Sequence, residues 1–193
     1  KFDDFSPSAN LSMQWTPDIM TFAKYSQAYK AGGSSEGAQV FSATYEPEEV
    51  KSYEIGAKTQ FFDRMLTLNG SLFYNEYDKL QIDFVEDPAD LTVVSTVNAG
   101  SANVKGAEFE VTIQPNDRFS LSASYAYLDA KLKSVRAPAG TAFDPAVNPF
   151  SPVAVGADVT DYFTLAFIPE HSASVSADFK IFDQDDRSLT AYA

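Results

Sequence analysis

The chain has no cysteine and a single histidine among its 193 residues. Without cysteine it has neither a disulfide framework nor thiol chemistry. Lysine and arginine number 14 against 27 aspartates and glutamates, so the formal net charge is −13 and the pI is about 4.3. Such an acidic chain is not expected to bind nucleic acid, because contact with phosphates needs a basic surface.

Long hydrophobic runs are also absent. The longest apolar stretches are short pieces such as Leu165-Ala166-Phe167-Ile168, far below the ~20 residues of a membrane helix. This excludes a helical membrane protein but not a membrane β-barrel, whose strands meet lipid only at every second residue. No signal peptide is recognisable. Since Lys1 is not an initiator methionine, we expect the natural N-terminus to lie upstream.

The chain does have a regular alternation of polar and apolar residues. In the clearest stretch, 172–181, the apolar side chains of Ala173, Val175 and Ala177 alternate with the polar ones of Ser174 and Ser176. A period of two residues predicts a β-strand with two different faces. Repeated along the chain, this pattern is typical of a wall between lipid and water, as in an outer-membrane β-barrel.

The pattern predicts an all-β, antiparallel, up-and-down barrel wall of eight strands. They cover residues 8–15, 19–30, 50–61, 65–84, 103–114, 119–132, 170–182 and 187 onward. The faces of the second strand are ambiguous, because Met20 and Phe22 compete with Ala23 and Tyr25. Asn69-Gly70 resembles a hairpin turn, but we predict strand there, because the tight turn at Asp63-Arg64 leaves too little chain between the two.

Tight turns alternate with long connections, including a loop at 86–98 and an irregular stretch at 133–169. In bacterial barrels short turns lie on the periplasmic side and long loops outside. An aromatic residue lies beside every predicted tight turn, which predicts a lower interfacial girdle. The members are Trp15, Phe62, Phe119 and Phe182. Aromatics also flank turns in soluble sandwiches, but those strands average ~5–6 residues, and the strands predicted here reach about ten or more, as a tilted membrane strand requires.

The interior face consists mostly of Ser, Thr, Gly, Asn and Gln, which fill a narrow eight-stranded lumen poorly and suit a wide barrel. The eighth predicted strand is cut short at Ala193. We therefore interpret the chain as about eight consecutive strands of a larger barrel. A complete eight-stranded outer-membrane barrel with an adhesive or structural role is the alternative.

Four segments, which follow one another along the chain in the order found in a known family, carry a family resemblance. They are Phe5-Ser6-Pro7-Ser8-Ala9 with Phe22-Ala23-Lys24-Tyr25-Ser26; Tyr45-Glu46-Pro47-Glu48 with Tyr53-Glu54-Ile55-Gly56; Asn98-Ala99-Gly100 with Val104-Lys105-Gly106-Ala107-Glu108 and Ser124-Tyr125-Ala126-Tyr127-Leu128-Asp129-Ala130; and Ile168-Pro169-Glu170-His171-Ser172-Ala173. Together they resemble the C-terminal part of the β-barrel of TonB-dependent outer-membrane receptors of the siderophore-receptor type.

The resemblance implies that residues 1–193 are part of a ~22-stranded barrel whose plug domain and terminal strands are absent from this sequence. It implies active uptake of a ferric siderophore, or less often haem, cobalamin or carbohydrate, across the outer membrane of a Gram-negative bacterium. The expected partners are that small nutrient, the TonB complex through a missing N-terminal region, and outer-membrane lipid and lipopolysaccharide.

Two sets of side chains are candidates for contact with a plug or ligand. The first set would form a polar wall on the lumen face, or internally paired charges with no transport role: Glu54, Lys58, Glu108, Glu110, Asp178 and Lys180. The second set lies near the first long loop and could contact ligand, since aromatics are favoured in binding sites, or pack the loop: Tyr29, Phe41 and Tyr45.

The sequence offers no catalytic, cofactor or metal motif. An enzyme with a Ser-His-acid triad would have to use His171, but no nucleophile elbow, zinc motif or phosphate loop accompanies it. Acidic residues near the outer loops could hold a divalent cation, but calcium-loop spacing is missing. They are Glu46, Glu48, Glu49, Asp83, Glu86, Asp87 and Asp90. We therefore predict a non-enzyme without a cofactor and treat an outer-membrane barrel enzyme as a third hypothesis.

Overall fold

The computed structural model describes residues 5–34, 44–87, 90–137, 154–163, 168–184 and 187–192. Ten β-strands are present in these ranges: β1 (Ser8–Thr16), β2 (Ile19–Lys30), β3 (Gly33–Ser34), β4 (Thr44–Tyr45), β5 (Glu48–Phe61), β6 (Leu66–Asp87), β7 (Asp90–Asn116), β8 (Phe119–Val135), β9 (His171–Gln184) and β10 (Arg187–Tyr192). A 3-10 turn covers Thr160–Tyr162. Within the described ranges no helix combines the length and apolarity needed to cross a membrane.

The eight long strands form one sheet in the order β1-β2-β5-β6-β7-β8-β9-β10. Every neighbouring pair is antiparallel, so the chain meanders from one edge to the other. The short strands β3 and β4 pair with each other in the first long connection. Strands β1 and β10 are the two edges, and no pairing joins them among the described residues. The sheet is open, unlike a closed eight-stranded barrel.

The predicted antiparallel strands are confirmed, but the predicted loop at 86–98 was wrong. Strand β6 continues to Asp87 and β7 begins at Asp90, so the two pair far beyond the predicted ends. Asp90, predicted to lie in the loop, is the first residue of β7 and pairs with Asp87. The β-branched run between Thr92 and Val97 extends the ladder, since such residues favour strands.

The turn predicted at Asp63-Arg64 is a four-residue connection between Phe61 and Leu66. The N–H of Met65 donates to the carbonyl of Phe62 over 3.1 Å. Asp63 and Arg64 both have positive φ, 53° and 70°, as the central residues of a type I′ hairpin turn do. Asn69-Gly70 lies inside β6, as predicted.

The stretch predicted as irregular, 133–169, is partly ordered against the sheet. Strand β8 runs to Val135, and a bridge joins Arg136 to Asp158. Val159 donates its N–H to the carbonyl of Val135 over 2.9 Å. Val135, Ala137 and Val159 are fully buried in a small core. Apolar burial and backbone pairing therefore fix the return of this long connection onto β8.

A carboxylate holds the same return segment locally. Both the hydroxyl and the N–H of Thr160 donate to Asp158 Oδ1, and these bonds hold the pKa of Asp158 below its usual value. The hydroxyl of Thr160 also accepts the N–H of Val135 over 2.8 Å. Because the carboxyl pKa is lowered on folding, this contribution is present at neutral pH and is lost only as pH falls below the ordinary aspartate range.

Pairing resolves the ambiguous faces of β2. Ala23 and Tyr25 lie opposite Ile55 and Tyr53 on the apolar face of the sheet. Phe22 lies on the other face, opposite Gly56. The sequence alone could not decide this, because both faces of β2 carry apolar residues.

The apolar face forms a band of constant width. On three strands the band begins with an apolar residue beside a tight turn and ends at a tyrosine eight residues away. This separation corresponds to about 27 Å along the strand. With a strand tilt near 40° the height is about 20 Å, comparable to the ~25 Å apolar band of membrane barrels. The residue pairs are Phe61 and Tyr53 on β5, Leu66 and Tyr74 on β6, and Phe119 and Tyr127 on β8.

Glycines on neighbouring strands make room for aromatic rings. A Cβ at Gly56 would lie 2.6 Å from the ring of Phe22 and 2.7 Å from the carbonyl oxygen of Gly70. A Cβ at Gly106 would lie 2.3 Å from the carbonyl oxygen of Tyr127. At Gly70 the nearest atoms are farther, 3.1 Å away in the ring of Phe109. Glycine is thus required at Gly56 and Gly106 for close packing across the ladder.

We expect Gly56→Ala to destabilise the folded protein by about 1–3 kcal/mol, because overpacking displaces both a ring and a backbone carbonyl. Gly70→Ala is the matched control and should cost less, since only the Phe109 ring must move. Urea unfolding of the protein in lipid bilayers measures both. Equal losses for the two variants would contradict the steric argument.

The alternation on β9 predicts which of its residues lipid covers, and cysteine labelling tests this. The sequence has no cysteine of its own, so only introduced cysteines in this chain would react. Cysteines at Ser174 and Ser176 should react with a water-soluble maleimide in intact bilayers. Cysteines at Val175 and Ala177 should react only after the membrane is dissolved and the protein unfolded, because lipid covers that face. Labelling of all four positions in intact bilayers would exclude lipid contact of the apolar face.

Candidate functional site

The polar face of the sheet carries a patch of charged residues across β2, β5, β6 and β7. Lys24 lies opposite Glu54, Lys58 opposite Asn69, and Asn69 opposite Glu110. Here the strands line a concavity of about 510 Å³. Its charged lining residues are Lys24, Glu54, Lys58, Glu108 and Glu110. The alternation that sends apolar side chains to one face therefore collects these groups on the other.

The charges in this patch are incompletely matched. Glu110 accepts a hydrogen bond of 3.4 Å from the amide of Asn69. Within the described part of the chain, Glu54 and Glu108 form no ion pair closer than 4.0 Å. A carboxylate that loses water without a partner is costly. The patch is therefore suited to a cationic or hydrogen-bond-donating partner.

The six predicted wall residues share one face but do not form one cluster. Asp178 lies opposite Ser120 and Tyr192, and Lys180 lies opposite Thr190, near the turn end of β9. Glu110 pairs with Ser124 on β8, and Ser124 pairs with Ser174 on β9. Asp178 lies four residues beyond Ser174 on β9, so it is displaced along the sheet from the level of Glu110. The structure thus brings Glu54, Lys58, Glu108 and Glu110 together and leaves Asp178 and Lys180 apart.

A hydrogen-bonded clamp lies at the loop end of the sheet, where the sequence predicted only loop charge. The amide oxygen of Asn98 accepts the N–H of Glu46 over 2.6 Å. The Asn98 Nδ2 donates to the carbonyls of Glu46 and Lys79, both at 2.8 Å. One side chain on β7 therefore fixes the segment before β5 and the backbone of β6.

Gln81 completes the clamp from β6. Its backbone N–H donates to Glu48 Oε2 over 2.9 Å. Its side-chain Nε2 reaches the carbonyls of Ala31 at 3.1 Å and Glu46 at 3.2 Å. Gln81 thus contacts both ends of the first long connection. The family-like segments containing Glu46 and Asn98, 52 residues apart in sequence, meet here.

An exposed ion pair accompanies the clamp. Lys79 Nζ lies 2.7 Å from Glu46 Oε2, and this ammonium lowers the pKa of Glu46 by hydrogen bonding and by charge. Because the folded pKa is lowered, any stabilisation is present above the ordinary glutamate value and is lost as pH falls through the lower one. Lys79 has a φ of 54° at a register shift between Tyr77 and Leu80.

The ligand-contact candidates lie in different places. Tyr29 alternates with Tyr25 and lies on the apolar face, opposite Glu49. Tyr45 pairs with Gly33, and its ring covers that glycine. Phe41 lies outside the described residues. Of the three, Tyr45 is next to the clamp through Glu46.

The girdle candidates lie at the turn end of the sheet. Trp15 alternates with Met13 on the apolar face and donates its indole N–H to Thr21 Oγ1 over 2.9 Å. Phe119 shares that face, and Phe62 lies in the hairpin turn. Phe182 lies opposite Leu189, next to a register shift between Leu189 and Thr190. Leu189 is two residues before Ala191, which lies on the apolar face opposite Phe179, so Phe182 shares that face. Trp15, Phe62 and Phe182 are exposed, and Phe119 is half-buried.

His171 lies on the apolar face among tyrosines. Its Nδ1 is 2.8 Å from the hydroxyl of Tyr125, and its ring centre is 5.3 Å from that of Tyr127. The imidazole therefore belongs to the row of tyrosines at the end of the apolar band away from the tight turns, called here the upper aromatic row.

The loop carboxylates have separate partners. Glu48 accepts from Gln81, and Asp83 accepts the hydroxyl of Thr96 over 2.7 Å. The side chains of Glu86, Asp87 and Asp90 lie outside the described set. Among described side chains, no three potential metal ligands converge.

The sequence analysis missed two features, the clamp and the upper tyrosine row. The rings of Tyr25 and Tyr53 are 5.2 Å apart, and those of Tyr53 and Tyr74 are 6.4 Å apart. The tyrosines could have been found from their constant spacing above the turns. The clamp could not, because its hydrogen bonds join residues distant in sequence.

An antiparallel meander of long strands with one apolar and one polar face defines the wall of a transmembrane β-barrel. A family model described as TonB dependent receptor-like, beta-barrel, matches residues 1–191. The chain therefore belongs to the TonB-dependent receptor family, as a section of its barrel. This is a family of outer-membrane transport receptors of Gram-negative bacteria.

Two curated relatives illustrate the similarity. The probable TonB-dependent siderophore receptor PiuA of Acinetobacter baumannii is 31% identical over 101 residues, covering 52% of this chain and 13% of PiuA. The metal-pseudopaline receptor CntO of Pseudomonas aeruginosa is 27% identical over 127 residues, covering 66% of this chain and 17% of CntO. The chain thus matches less than a fifth of the length of either relative.

Solved structures share the fold. The ferric yersiniabactin uptake receptor FyuA from Yersinia pestis superposes with a TM-score of 0.63 at 18% identity, over 96% of this chain and 24% of FyuA. The siderophore receptor PiuA from Acinetobacter baumannii gives 0.59 at 20% identity, over 91% of this chain and 24% of PiuA. The match corresponds to about a quarter of each barrel-containing chain.

The clamp makes a prediction about local opening. Asn98→Ala removes the acceptor of the Glu46 N–H and both Nδ2 donors, so hydrogen exchange at Glu46 should accelerate about tenfold or more, given a net ~0.5–1.5 kcal/mol per hydrogen bond. Hydrogen-exchange mass spectrometry of a peptide spanning residues 44–50 measures this. Asn98→Asp, which keeps an acceptor oxygen, should protect the Glu46 N–H better than alanine. Equal exchange in wild type and Asn98→Ala would refute the clamp.

Proposed function

We propose that residues 1–193 form eight consecutive strands in the wall of a larger, ~22-stranded barrel that takes up a ferric siderophore or similar scarce nutrient. The barrel would lie in the outer membrane of a Gram-negative bacterium and draw energy through TonB. The observation that carries this proposal is the family match over residues 1–191. Two relatives support the ligand class: PiuA is named a probable TonB-dependent siderophore receptor, and CntO a metal-pseudopaline receptor.

The polar face supports a plugged lumen. Glu54 and Glu108 project from β5 and β7 on the side opposite the apolar band, with Lys58 and Glu110 beside them. In an empty, water-filled pore such charges need no partner, whereas against a folded plug they need complementary groups. We propose that these four residues contact the plug and that Asp178 and Lys180 extend the polar wall toward the turns.

The clamp supports a ligand site above this wall. Asn98 and Gln81 fix both ends of the first long connection to β6 and β7. Tyr45, next to Glu46, is therefore held in a defined position and is the ligand-contact candidate we favour. Tyr29, on the apolar face, fits better as part of the upper aromatic row.

The transport proposal is tested in the parent organism. Deleting the gene that encodes this chain should abolish growth on one iron chelate under iron limitation, and loss of TonB should have the same effect. Uptake of radiolabelled iron with a panel of siderophores and haem measures both. Unchanged uptake of every iron compound, with lost uptake of cobalamin or a carbohydrate, would redirect the ligand assignment. Uptake that is independent of TonB would exclude the mechanism.

The wall proposal is tested by a double substitution. Glu54→Gln with Glu108→Gln in the intact receptor should lower uptake about tenfold or more, because removing one partner of a desolvated charge pair costs about 2–5 kcal/mol. Glu76→Gln is the matched control, since Glu76 lies on β6 but on the apolar face. Uptake is measured per receptor in the membrane. Wild-type uptake by the double variant, or an equal loss in the control, would overturn the role of the wall.

A further inference from the structure

The Asn69-Gly70 pair lies in the interior of β6, where neighbouring strands hold it on both sides. Asn69 lies opposite Lys58 on β5 and opposite Glu110 on β7, and both registers continue without a break through Gly70. In an antiparallel sheet each backbone N–H of such an internal strand bonds to one neighbour or the other. The N–H of Gly70 is therefore engaged, and both residues are half-buried.

Asparagine followed by glycine has an intrinsic reactivity. The backbone nitrogen of the following residue attacks the side-chain carbon Cγ, and ammonia leaves as a five-membered succinimide closes. Water then opens this ring at either carbonyl, which gives aspartate or isoaspartate. Glycine favours ring closure because it has no Cβ to obstruct the attack and its backbone reaches the required conformation freely. Of the seven asparagines in the sequence, Asn69 is the one that glycine follows.

The folded sheet blocks this reaction. The strand is extended at this point, and the nitrogen that must attack Cγ carries the N–H that the ladder holds. The side-chain amide of Asn69 is also held, because it donates to Glu110 Oε2 over 3.4 Å. Ring closure requires β6 to separate from a neighbouring strand. Asn69 is thus reactive in the unfolded chain and protected in the sheet.

Both members of the pair have a role in the folded sheet. An ideal Cβ at Gly70 would lie 3.1 Å from the ring of Phe109, so glycine gives this ring room. Asn69 lies between Lys58 and Glu110 on the polar face and bonds to the latter. The reactivity of the dipeptide in the unfolded chain is therefore a consequence of residues that the folded sheet needs.

We propose that Asn69 is a modification site of the unassembled chain, and that its conversion to isoaspartate prevents this part of the sheet from forming. In isoaspartate the main chain runs through Cβ and Cγ, which adds one backbone atom before the nitrogen of Gly70. The former main-chain carbonyl becomes a free carboxylate. Residues beyond this point are then out of step with β5 and β7. The ladder has no alternative register, because a slip sends apolar side chains to the polar face.

Hydrolysis of the ring to aspartate has a different consequence. It leaves the main chain unchanged and replaces one amide by a carboxylate, which lies beside Glu110 but opposite Lys58. The ladder can then form as before. The two hydrolysis products therefore separate the effect of an altered backbone linkage from the effect of an added charge.

The test uses the intact receptor that contains this chain, kept for equal times either folded in detergent or unfolded in mildly alkaline urea. Trypsin cleavage after Arg64 and Lys79 gives one peptide that contains Asn69 and, as an internal control, Asn75, which glutamate follows. Mass spectrometry of this peptide measures the exchange of amide for carboxyl at each asparagine. We expect modification of Asn69 to be at least about a hundredfold faster in the unfolded receptor, because the folded ladder must open first.

A matched variant tests the chemistry of the site. In urea, where folding plays no part, Gly70→Ala should slow the modification of Asn69 about tenfold, because the added Cβ hinders ring closure. Asn75 in the same peptide should stay largely unmodified. Equal modification of the two asparagines, or equal rates for Asn69 in folded and unfolded receptor, would overturn the proposal.

Refolding links the modification to assembly. After incubation the receptor is moved from urea into detergent with lipid, and heat-modifiable gel migration separates refolded from unfolded molecules. Electron-based fragmentation then distinguishes isoaspartate from aspartate in each fraction. We expect isoaspartate at position 69 only in the unfolded fraction, whereas the Asn69→Asp variant should refold as the wild type does.

Two refolding results would refute the proposal. One is the same isoaspartate content at position 69 in the refolded and unfolded fractions. The other is failure of Asn69→Asp to refold, since its main chain is unchanged and charge alone would then account for the loss. These measurements do not depend on which nutrient the receptor transports, so this proposal and the transport proposal fail separately.

Discussion

The structure depends on the pairing of backbone groups within one continuous antiparallel ladder. In the interior of a bilayer an unpaired N–H or C=O group costs several kcal/mol, so a spanning strand needs a neighbour on each side. Continuous registers from β1 to β10 meet this requirement at every internal strand. The two-residue period of the side chains then follows, because every strand must keep its apolar set on the same face. Among the described residues, β1 and β10 are the two edges of this ladder.

This constraint divides the sheet into regions with different chemistry. The apolar band and its aromatic rows lie on one face of the sheet, and the patch around Glu54 and Glu108 lies on the other. Beyond the apolar band, at the end of the sheet away from the tight turns, polar side chains form hydrogen bonds that hold the backbone in place. The clamp of Asn98 and Gln81 and the return of residues 154–163 onto β8 are both built there. The surfaces proposed for ligand recognition are therefore anchored outside the membrane by hydrogen bonds and inside it by the ladder.

Much of the wall could be predicted from sequence because its signal is local. Alternation at 172–181, the tight turns and the interfacial aromatics are each visible within about ten residues. The extension of β6 and β7 toward their hairpin tip was missed, because acidic residues and Pro88 suggested a loop where β-branched residues continue the ladder. The tight turn predicted at Asp63-Arg64 was confirmed, and its two central residues adopt positive φ without glycine. The family motifs were recognised, but not the hydrogen bonds that join the motif containing Glu46 to the motif containing Asn98.

The sequence by itself determined the strands, their two faces and their family, because a period of two residues and the chemistry of turns are properties of neighbouring residues. Only the tertiary structure decided which face of β2 meets lipid, since both its faces are apolar and the choice depends on Gly56 opposite Phe22. It also decided that Glu46 and Asn98 meet, and that Glu54 and Glu108 share a patch while Asp178 and Lys180 lie apart. Each of these depends on strand register, which is set by the whole ladder and not by any single segment.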